Sequence, residues 1–306
     1  MIFLCEVSFI PFVLFEYFRI NIVKNSQFRG MNNKNQSLKI WASIITLCIV
    51  FHACQKHDNK ATTPPPQDMV FVKGNNQLNP FYMDISPVTV AEFDQFVKAT
   101  HHKTQAHSFG NSGVFEVSTG EWTILEGADY WHPFGKDKPK AEPNHPVTQV
   151  SWNDAVAYSK WAKKRLPTYQ EMKWAAMNAD ENWNKKYAWG DNLIENGKYK
   201  TNVWQGSFPY YSKVEDGFQY TSPVGFYGKT PLGLTDVGGN IWQWCQDWDT
   251  STTVDTTSKE AEKLEYGGSF LCDKTVCHGY KVGNTSHSTP ETSLCHLGFR
   301  CVKTVK

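Results

Sequence analysis

The chain has 306 residues, of which 40% are hydrophobic and 14% aromatic, enough for a full hydrophobic core in one or two domains. This composition excludes a disordered chain and a small scaffold that depends on disulfides. The formal net charge is +1, so no global positive field attracts a polyanion, which argues against nucleic-acid binding. The eight cysteines are the feature of the composition that needs an explanation.

The first 53 residues are predicted to be a leader outside the fold. Residues 1–22 are apolar but carry three charged side chains, which argues against a membrane span. A polar, basic segment begins at Met31, the predicted true start, and precedes a short apolar run over residues 40–50. The following Phe-His-Ala-Cys resembles a bacterial lipoprotein signal cleaved after Ala53, with Cys54 as the lipid attachment point. An ordinary cleaved signal or an uncleaved anchor is the alternative.

Residues 54–68 are polar and then proline-rich, which is typical of an extended tether without a core. A lipid on Cys54 and this tether would hold residues 69–306 beside a bacterial membrane without crossing it. We therefore expect a lipid-anchored domain on the periplasmic side, on either the inner or the outer membrane.

Three helices are predicted from capping signals, which begin at Thr89, Ser151 and Thr168. The helical signals stop after Met177. The remaining chain is rich in Gly, Trp, Tyr and Asn and contains several turn dipeptides. This pattern predicts an irregular, loop-rich α+β fold with little regular secondary structure, and it places the functional site on loops.

Several common chemistries lack their motifs. The sequence has no Gly-x-Gly-x-x-Gly, no phosphate-binding loop ending in Gly-Lys-Ser/Thr, no His-Glu-x-x-His and no Gly-x-Ser-x-Gly. Dinucleotide, triphosphate and common hydrolase sites are therefore not indicated. The local histidine cluster of His101, His102 and His107 is interpreted as solvated side chains on a loop rather than as metal ligands.

Five cysteines lie beyond the leader and the tether: Cys245, Cys272, Cys277, Cys295 and Cys301. Their odd number predicts at least one thiol outside an internal disulfide in an exported protein. Four residues separate Cys272 from Cys277, which fits neither a Cys-x-x-Cys redox motif nor a four-ligand zinc site. Two thiolates suit Cu(I), whereas the spacing alone favours a structural disulfide.

The segment Gly267-Gly-Ser-Phe-Leu-Cys272, followed by Cys277, resembles the active-site segment of the formylglycine-generating enzyme family. The similarity extends from Phe81 to Val302. It includes, in the order of the family, the segments 150–158, 164–168, 202–206, 215–218, 239–244, 247–248 and 297–301. The resemblance implies the formylglycine-generating-enzyme fold, which is C-type-lectin-like, for residues 69–306.

The family resemblance implies an activity as well as a fold. It implies a copper-dependent oxidase that uses O2 to convert the cysteine of a Cys-x-Pro-x-Arg segment, in an unfolded sulfatase polypeptide, to Cα-formylglycine. Cys272 and Cys277 would hold Cu(I), which thiolates select strongly. Ser269 and Trp242 match family positions that line the oxygen and substrate pocket, and plain core packing is the alternative for Trp242.

The resemblance also implies two structural calcium sites made of oxygen ligands, the kind that a hard cation requires. The first would use the side chains of Asn202 and Asp216 and the main-chain oxygens of Val203 and Phe218. The second would use Asp236, Gly239, Ile241 and Gln243. In this second site Asp236 stands where the family often has Asn, and Gln243 where it often has Glu.

The chain departs from the family at several positions. Ser159, Ala176 and Val282 replace disulfide cysteines of some eukaryotic members, and the pairing of Cys245, Cys295 and Cys301 stays open. Thr285 replaces an Arg near the substrate groove and His296 replaces an Asn beside the pocket, so peptide preference is expected to differ.

Two other functions are weighed against the oxidase. A non-catalytic lipoprotein of the same fold, acting in surface binding or gliding-type assembly, would use Cys272 and Cys277 only as a disulfide. A non-haem iron sulfoxide synthase is disfavoured because the sequence has no His-x-x-x-His-x-Glu motif.

Overall fold

The computed structural model describes residues 66–251 and 255–305. The predicted leader, Cys54 and the tether up to residue 65 lie outside the described residues. Within the described part, the secondary structure consists of four helices and thirteen strands of two to seven residues joined by long loops. The loop-rich α+β prediction is confirmed. No helix among the described residues is long and apolar enough to cross a membrane.

The helices confirm the three predicted starts and add one. Thr89, Ser151 and Thr168 each accept the backbone N–H three residues later, and the acidic side chain there returns the bond, forming a complete capping box. The interpretation of the histidine cluster as solvated loop side chains is wrong in part. His107 lies in a helix that begins after the cap Thr104, and His102 Nε2 lies 2.8 Å from Asp154 Oδ1. The helices are α1 (Val90–Thr100), α2 (Gln105–Phe109), α3 (Trp152–Trp161) and α4 (Tyr169–Ala176).

The strands form two small sheets and three hairpins. The three-stranded antiparallel sheet has the order β1 (Met69–Val72), β2 (Phe81–Asp84), β13 (Val302–Thr304). The four-stranded sheet has the order β11 (Thr285–Ser288), β10 (Lys263–Tyr266), β9 (Trp242–Trp248), β12 (Leu297–Gly298), and β12 runs parallel to β9. The hairpins pair β3 (Asn111–Glu116) with β4 (Glu121–Glu126), β5 (Ile194–Glu195) with β6 (Lys198–Tyr199), and β7 (Gly206–Ser207) with β8 (Tyr211–Ser212).

An aromatic cluster joins the helices to the end of the chain. Phe93 of α1 and Tyr158 of α3 lie with ring centroids 5.9 Å apart. Phe299, which follows β12, packs edge-on against both rings at 6.2 and 5.3 Å. Such pairs add about 0.5–1.5 kcal/mol each beyond the burial of their area. The two helices are therefore fixed to the connection between β12 and β13.

Arg300 is a fully buried cation that connects the two sheets. Its Nε donates to Gln243 Oε1 at 2.6 Å, on β9. Its Nη1 donates to the carbonyls of Asp84 and Ile85 at the end of β2, each at 3.2 Å. Its Nη2 donates to the carbonyls of Thr235 and Asp236 at 2.7 and 2.9 Å. Desolvation lowers the pKa of Arg300 to about 10, which leaves it charged at neutral pH.

Replacing Arg300 with Met is expected to destabilise the domain by about 3 kcal/mol or more, because several buried carbonyls lose their donor. Urea unfolding followed by circular dichroism measures the loss. Lys185→Met is the matched control, since Lys185 forms an ion pair with Asp191 in which both side chains are about half exposed, and exposed pairs contribute little. Equal stability of the two variants would contradict the role given to Arg300.

Candidate active site

Cys272 and Cys277 lie together at the end of a loop, with their Cα atoms 4.8 Å apart. The structure joins the two sulfur atoms in a disulfide, as the spacing alone favours. Cys272 is buried and Cys277 is partly exposed. Each sulfur also accepts one backbone N–H at 3.4 Å, Cys272 from Ser269 and Cys277 from Gly279. The pair is thus placed where one side is accessible and both sulfurs face amide donors.

A turn centred on Asp273 brings Cys277 back beside Cys272. This turn is not among the features predicted from the sequence. The Asp273 carboxylate accepts the backbone N–H groups of Thr275 and Val276 at 2.9 and 2.6 Å, and the Thr275 hydroxyl at 2.7 Å. These bonds outweigh the effect of burial and lower the pKa of Asp273. An Asp two residues before a Thr is a signal for such a turn, so the sequence contained the information.

The loop rests on two glycines that allow close backbone approach. Gly268 has φ +71°, and a Cβ there would lie 2.6 Å from the carbonyl carbon of Gly279. A Cβ on Gly279 would overlap the indole ring of Trp242 and lie 2.7 Å from the Cα of Gly268. Larger residues at either position would push the cysteine loop away from β9.

Trp242 begins β9 and forms one wall of an open cleft beside Cys277. Its backbone N–H donates to the carbonyl of His296 at 2.9 Å, which holds β9 against the residue before β12. The cleft has a volume of about 470 Å3. It is lined by Trp242, Val276, Cys277, His278, Gly279, Gly283, Asn284, Thr285 and Ser286.

Ser269 lies behind the cysteine pair and is fully buried. Its hydroxyl oxygen accepts the backbone N–H of Leu271 at 3.2 Å and lies 2.9 Å from Nδ1 of His296. His296 packs against Trp122, with ring centroids 4.9 Å apart. Desolvation lowers the pKa of His296 to about 3, so the imidazole is neutral at physiological pH. In the neutral tautomer with its proton on Nε2, Nδ1 of His296 accepts a hydrogen bond from the Ser269 hydroxyl, which fixes the hydroxyl direction.

Asp216, a residue predicted for the first calcium site, contacts two others of the set, Val203 and Phe218. The carboxylate of Asp216 accepts the backbone N–H of Val203 at 2.9 Å and that of Phe218 at 3.1 Å. Burial raises the pKa of Asp216. Asn202 is fully buried, its amide nitrogen donates to the carbonyl of Tyr220, and its Oδ1 is buried without a hydrogen-bond partner. A buried oxygen without a donor is costly and is a natural ligand for a hard cation.

Two of the four residues predicted for the second calcium site, Asp236 and Gln243, contact the guanidinium of Arg300. Gln243 Oε1 and the carbonyl of Asp236 both accept from Arg300. The Asp236 carboxylate accepts the backbone N–H of Gly225 at 2.7 Å and the amide of Asn240 at 3.2 Å. The carbonyl of Gly239 accepts the backbone N–H of Ile241 at 2.9 Å. The Arg300 guanidinium already places a positive charge next to two of these oxygens, so this set is less suited to calcium, and the second site stays a prediction.

Solved structures define the class of fold. The structure of PvdO from Pseudomonas aeruginosa superposes with a TM-score of 0.52 and 21% identity, covering 74% of this chain and 81% of that one. At this identity the likeness concerns the fold alone. The fold class predicted from the sequence is therefore confirmed.

The sequence comparisons then define the family. The family model described as sulfatase-modifying factor enzyme 1-like domain matches residues 55–305. The formylglycine-generating enzyme of Streptomyces coelicolor is 40% identical over 248 residues, covering 74% of this chain and 78% of that enzyme. The formylglycine-generating enzyme of Mus musculus is 38% identical over 244 residues, covering 72% of this chain and 65% of that enzyme. The chain belongs to the family of sulfatase-modifying factor enzymes, and it is an oxidoreductase of that class.

Proposed function

We propose that this chain oxidises the cysteine of a Cys-x-Pro-x-Arg segment in an unfolded sulfatase to Cα-formylglycine, with O2 as the oxidant and Cu(I) as the cofactor. The observation that carries the proposal is the pair of Cys272 and Cys277 beside an open cleft, with Cys277 partly exposed. The non-catalytic alternative is not favoured, because the relatives reported above are named as enzymes.

The site chemistry fits Cu(I) when the disulfide is reduced. Two thiolates on one loop are soft ligands, which select Cu(I) over harder ions. Backbone N–H groups of Ser269 and Gly279 already point at the two sulfurs, and such donors favour the thiolate form. When bound, Cu(I) supplies a centre at which a substrate thiolate and O2 can meet. Cys272 and Cys277 would be its protein ligands.

The other residues of the site bind the peptide and shape the cleft, and they take no part in the reaction themselves. Trp242 gives the peptide an apolar wall, in an open cleft of about 470 Å3. Ser269, with its hydroxyl directed by neutral His296, presents a fixed polar group at the back of the cysteine pair. In the overall reaction the thiol carbon loses two electrons, gains the aldehyde oxygen and releases its sulfur as hydrogen sulfide. Full reduction of O2 takes four electrons, so two external thiols supply the second pair and are joined in a disulfide, and one water molecule is formed.

Conversion of a Cys-x-Pro-x-Arg peptide by the reduced, copper-loaded protein is expected to be lost in Cys272→Ala and in Cys277→Ala, because either change removes a copper ligand. Mass spectrometry detects the mass decrease from thiol to aldehyde. Cys245→Ala is the matched control: Cys245 is a buried free cysteine that packs in a separate part of the core from Cys272, and conversion should persist in this variant. No conversion by wild-type protein, or full conversion by Cys277→Ala, would defeat the proposal.

We also propose that Asn202, Asp216 and the carbonyls of Val203 and Phe218 hold a structural calcium ion. The partnerless Oδ1 of Asn202 supports this assignment. The second predicted site, at Asp236, Gly239, Ile241 and Gln243, is proposed on the family resemblance alone.

Calcium at a hundred times its Kd is expected to stabilise the wild-type domain by about 2.7 kcal/mol per site. Thermal unfolding with and without calcium measures the effect. Asn202→Ala should lose the contribution of the first site, whereas Asn153→Ala, at an exposed position of α3, should retain it. A calcium effect of full size in Asn202→Ala would rule out this ligand set.

We further propose that Cys54 carries a lipid that anchors the domain on the periplasmic side of a bacterial membrane. In cells, Cys54→Ser is expected to move the protein from the membrane fraction to the soluble fraction, because the tether has no other apolar anchor. Immunoblotting of the two fractions measures the change. Retention of Cys54→Ser in the membrane fraction would favour an uncleaved anchor over a lipoprotein.

A further inference from the structure

A histidine and two carboxylates meet at one end of the four-stranded sheet, away from the residues discussed so far. Asp249 directly follows β9, Glu262 directly precedes β10, and His287 lies in β11. One nitrogen of the imidazole and one oxygen of each carboxylate lie within 4.8 Å of one another. Adjacent strands of one sheet thus bring together three potential metal ligands that are far apart in the sequence.

Within this cluster, Glu262 forms a hydrogen bond with His287, whereas Asp249 does not. His287 Nδ1 lies 2.6 Å from Glu262 Oε2, a direct hydrogen bond. His287 Nε2 lies 3.9 Å from Asp249 Oδ2, which is too far for a hydrogen bond. A neutral imidazole has one N–H group. If Nδ1 donates it to Glu262, the lone pair is on Nε2, which lies 3.9 Å from Asp249 Oδ2.

The gap between His287 Nε2 and Asp249 Oδ2 is slightly wider than the one that a tetrahedral metal ion bridges. Zinc lies 2.0–2.1 Å from a histidine nitrogen and 2.0–2.2 Å from a carboxylate oxygen, so two such ligands of a tetrahedral ion are about 3.4 Å apart, and a small approach of the two side chains would close the gap. Metal-bound histidines usually donate their other N–H to a carboxylate, which fixes the tautomer and orients the ring. Glu262 already stands in that position relative to His287.

The negative charge of the two carboxylates would also be stabilised by a bound cation. The side chain of Asp249 is only 7% exposed, while those of Glu262 and His287 are 32% and 49% exposed. Among the described residues, neither carboxylate has a Lys or Arg partner within ion-pair distance. Two neighbouring carboxylates, one of them nearly buried, therefore share a single imidazole. Asp249 is held in place by the backbone N–H and the hydroxyl of Ser251, each at 2.9 Å.

We propose that His287 and Asp249 bind a divalent transition-metal ion such as Zn2+, with Glu262 orienting the imidazole and water completing the coordination. The ion would join β9 to β11 across the end of β10 and would stabilise this edge of the sheet. The proposal is independent of the copper and calcium sites, because it shares no residue with either.

Titration calorimetry with Zn2+ on the whole chain tests the proposal. The protein is kept oxidised and saturated with calcium, so that neither the cysteine pair nor the proposed calcium ligands can take up zinc. Wild-type protein is expected to bind one more Zn2+ than His287→Ala. Since His287 is about half exposed, its replacement does not threaten folding. His107→Ala, at another exposed histidine, is the control and should match the wild type.

The orienting role of Glu262 is tested separately. Glu262→Gln should still bind the ion, but with an affinity lower by about 10–100-fold, as is usual when such a partner is lost. Zinc should also raise the unfolding temperature of wild-type protein and not that of His287→Ala. Identical zinc binding by wild type and His287→Ala would overturn the proposal. Unchanged affinity in Glu262→Gln would overturn the role of Glu262.

Discussion

The buried guanidinium of Arg300 is the interaction on which the rest of this domain depends. Strands of two to seven residues cannot satisfy all the buried carbonyls of a loop-rich chain through ladder bonds. Arg300 directs its donors at the end of β2, at the loop around Asp236 and at Gln243 of β9. Five donors in a rigid fork are what such a junction needs, and lysine has neither the number nor the geometry.

This junction sets the position of the candidate active site. Arg300 lies two residues beyond β12, and Leu297 of β12 pairs with Trp242 of β9. The residue before β12, His296, contacts Ser269 next to the cysteine pair. A shift of the β12–β13 connection would therefore move the wall of the cleft and the hydroxyl behind the cysteines together. The chemistry of the loop is thus tied to a cation that takes no part in it.

The sequence predicts features that depend on neighbouring residues, but not those that depend on residues far apart in the chain. Three helices were predicted because a capping box is complete within four residues, as at Thr168 and Glu171. The proximity of Cys272 and Cys277 followed from their short separation. In contrast, α2 was missed because its cap Thr104 has no acidic partner three residues later. The approach of His287 to Asp249 and Glu262 depends on strand pairing, and no local spacing encodes it.

The three-stranded sheet needs the C-terminal strand β13 to pair one side of its central strand β2. Its centre is β2, near the start of the described residues, and its two neighbours are β1 and β13, from opposite ends of the domain. One flank of β2 therefore stays unpaired in any chain that is cut before β13. An unpaired strand edge of this kind can accept a strand from another chain, so loss of the C-terminal strand would expose the domain to aggregation.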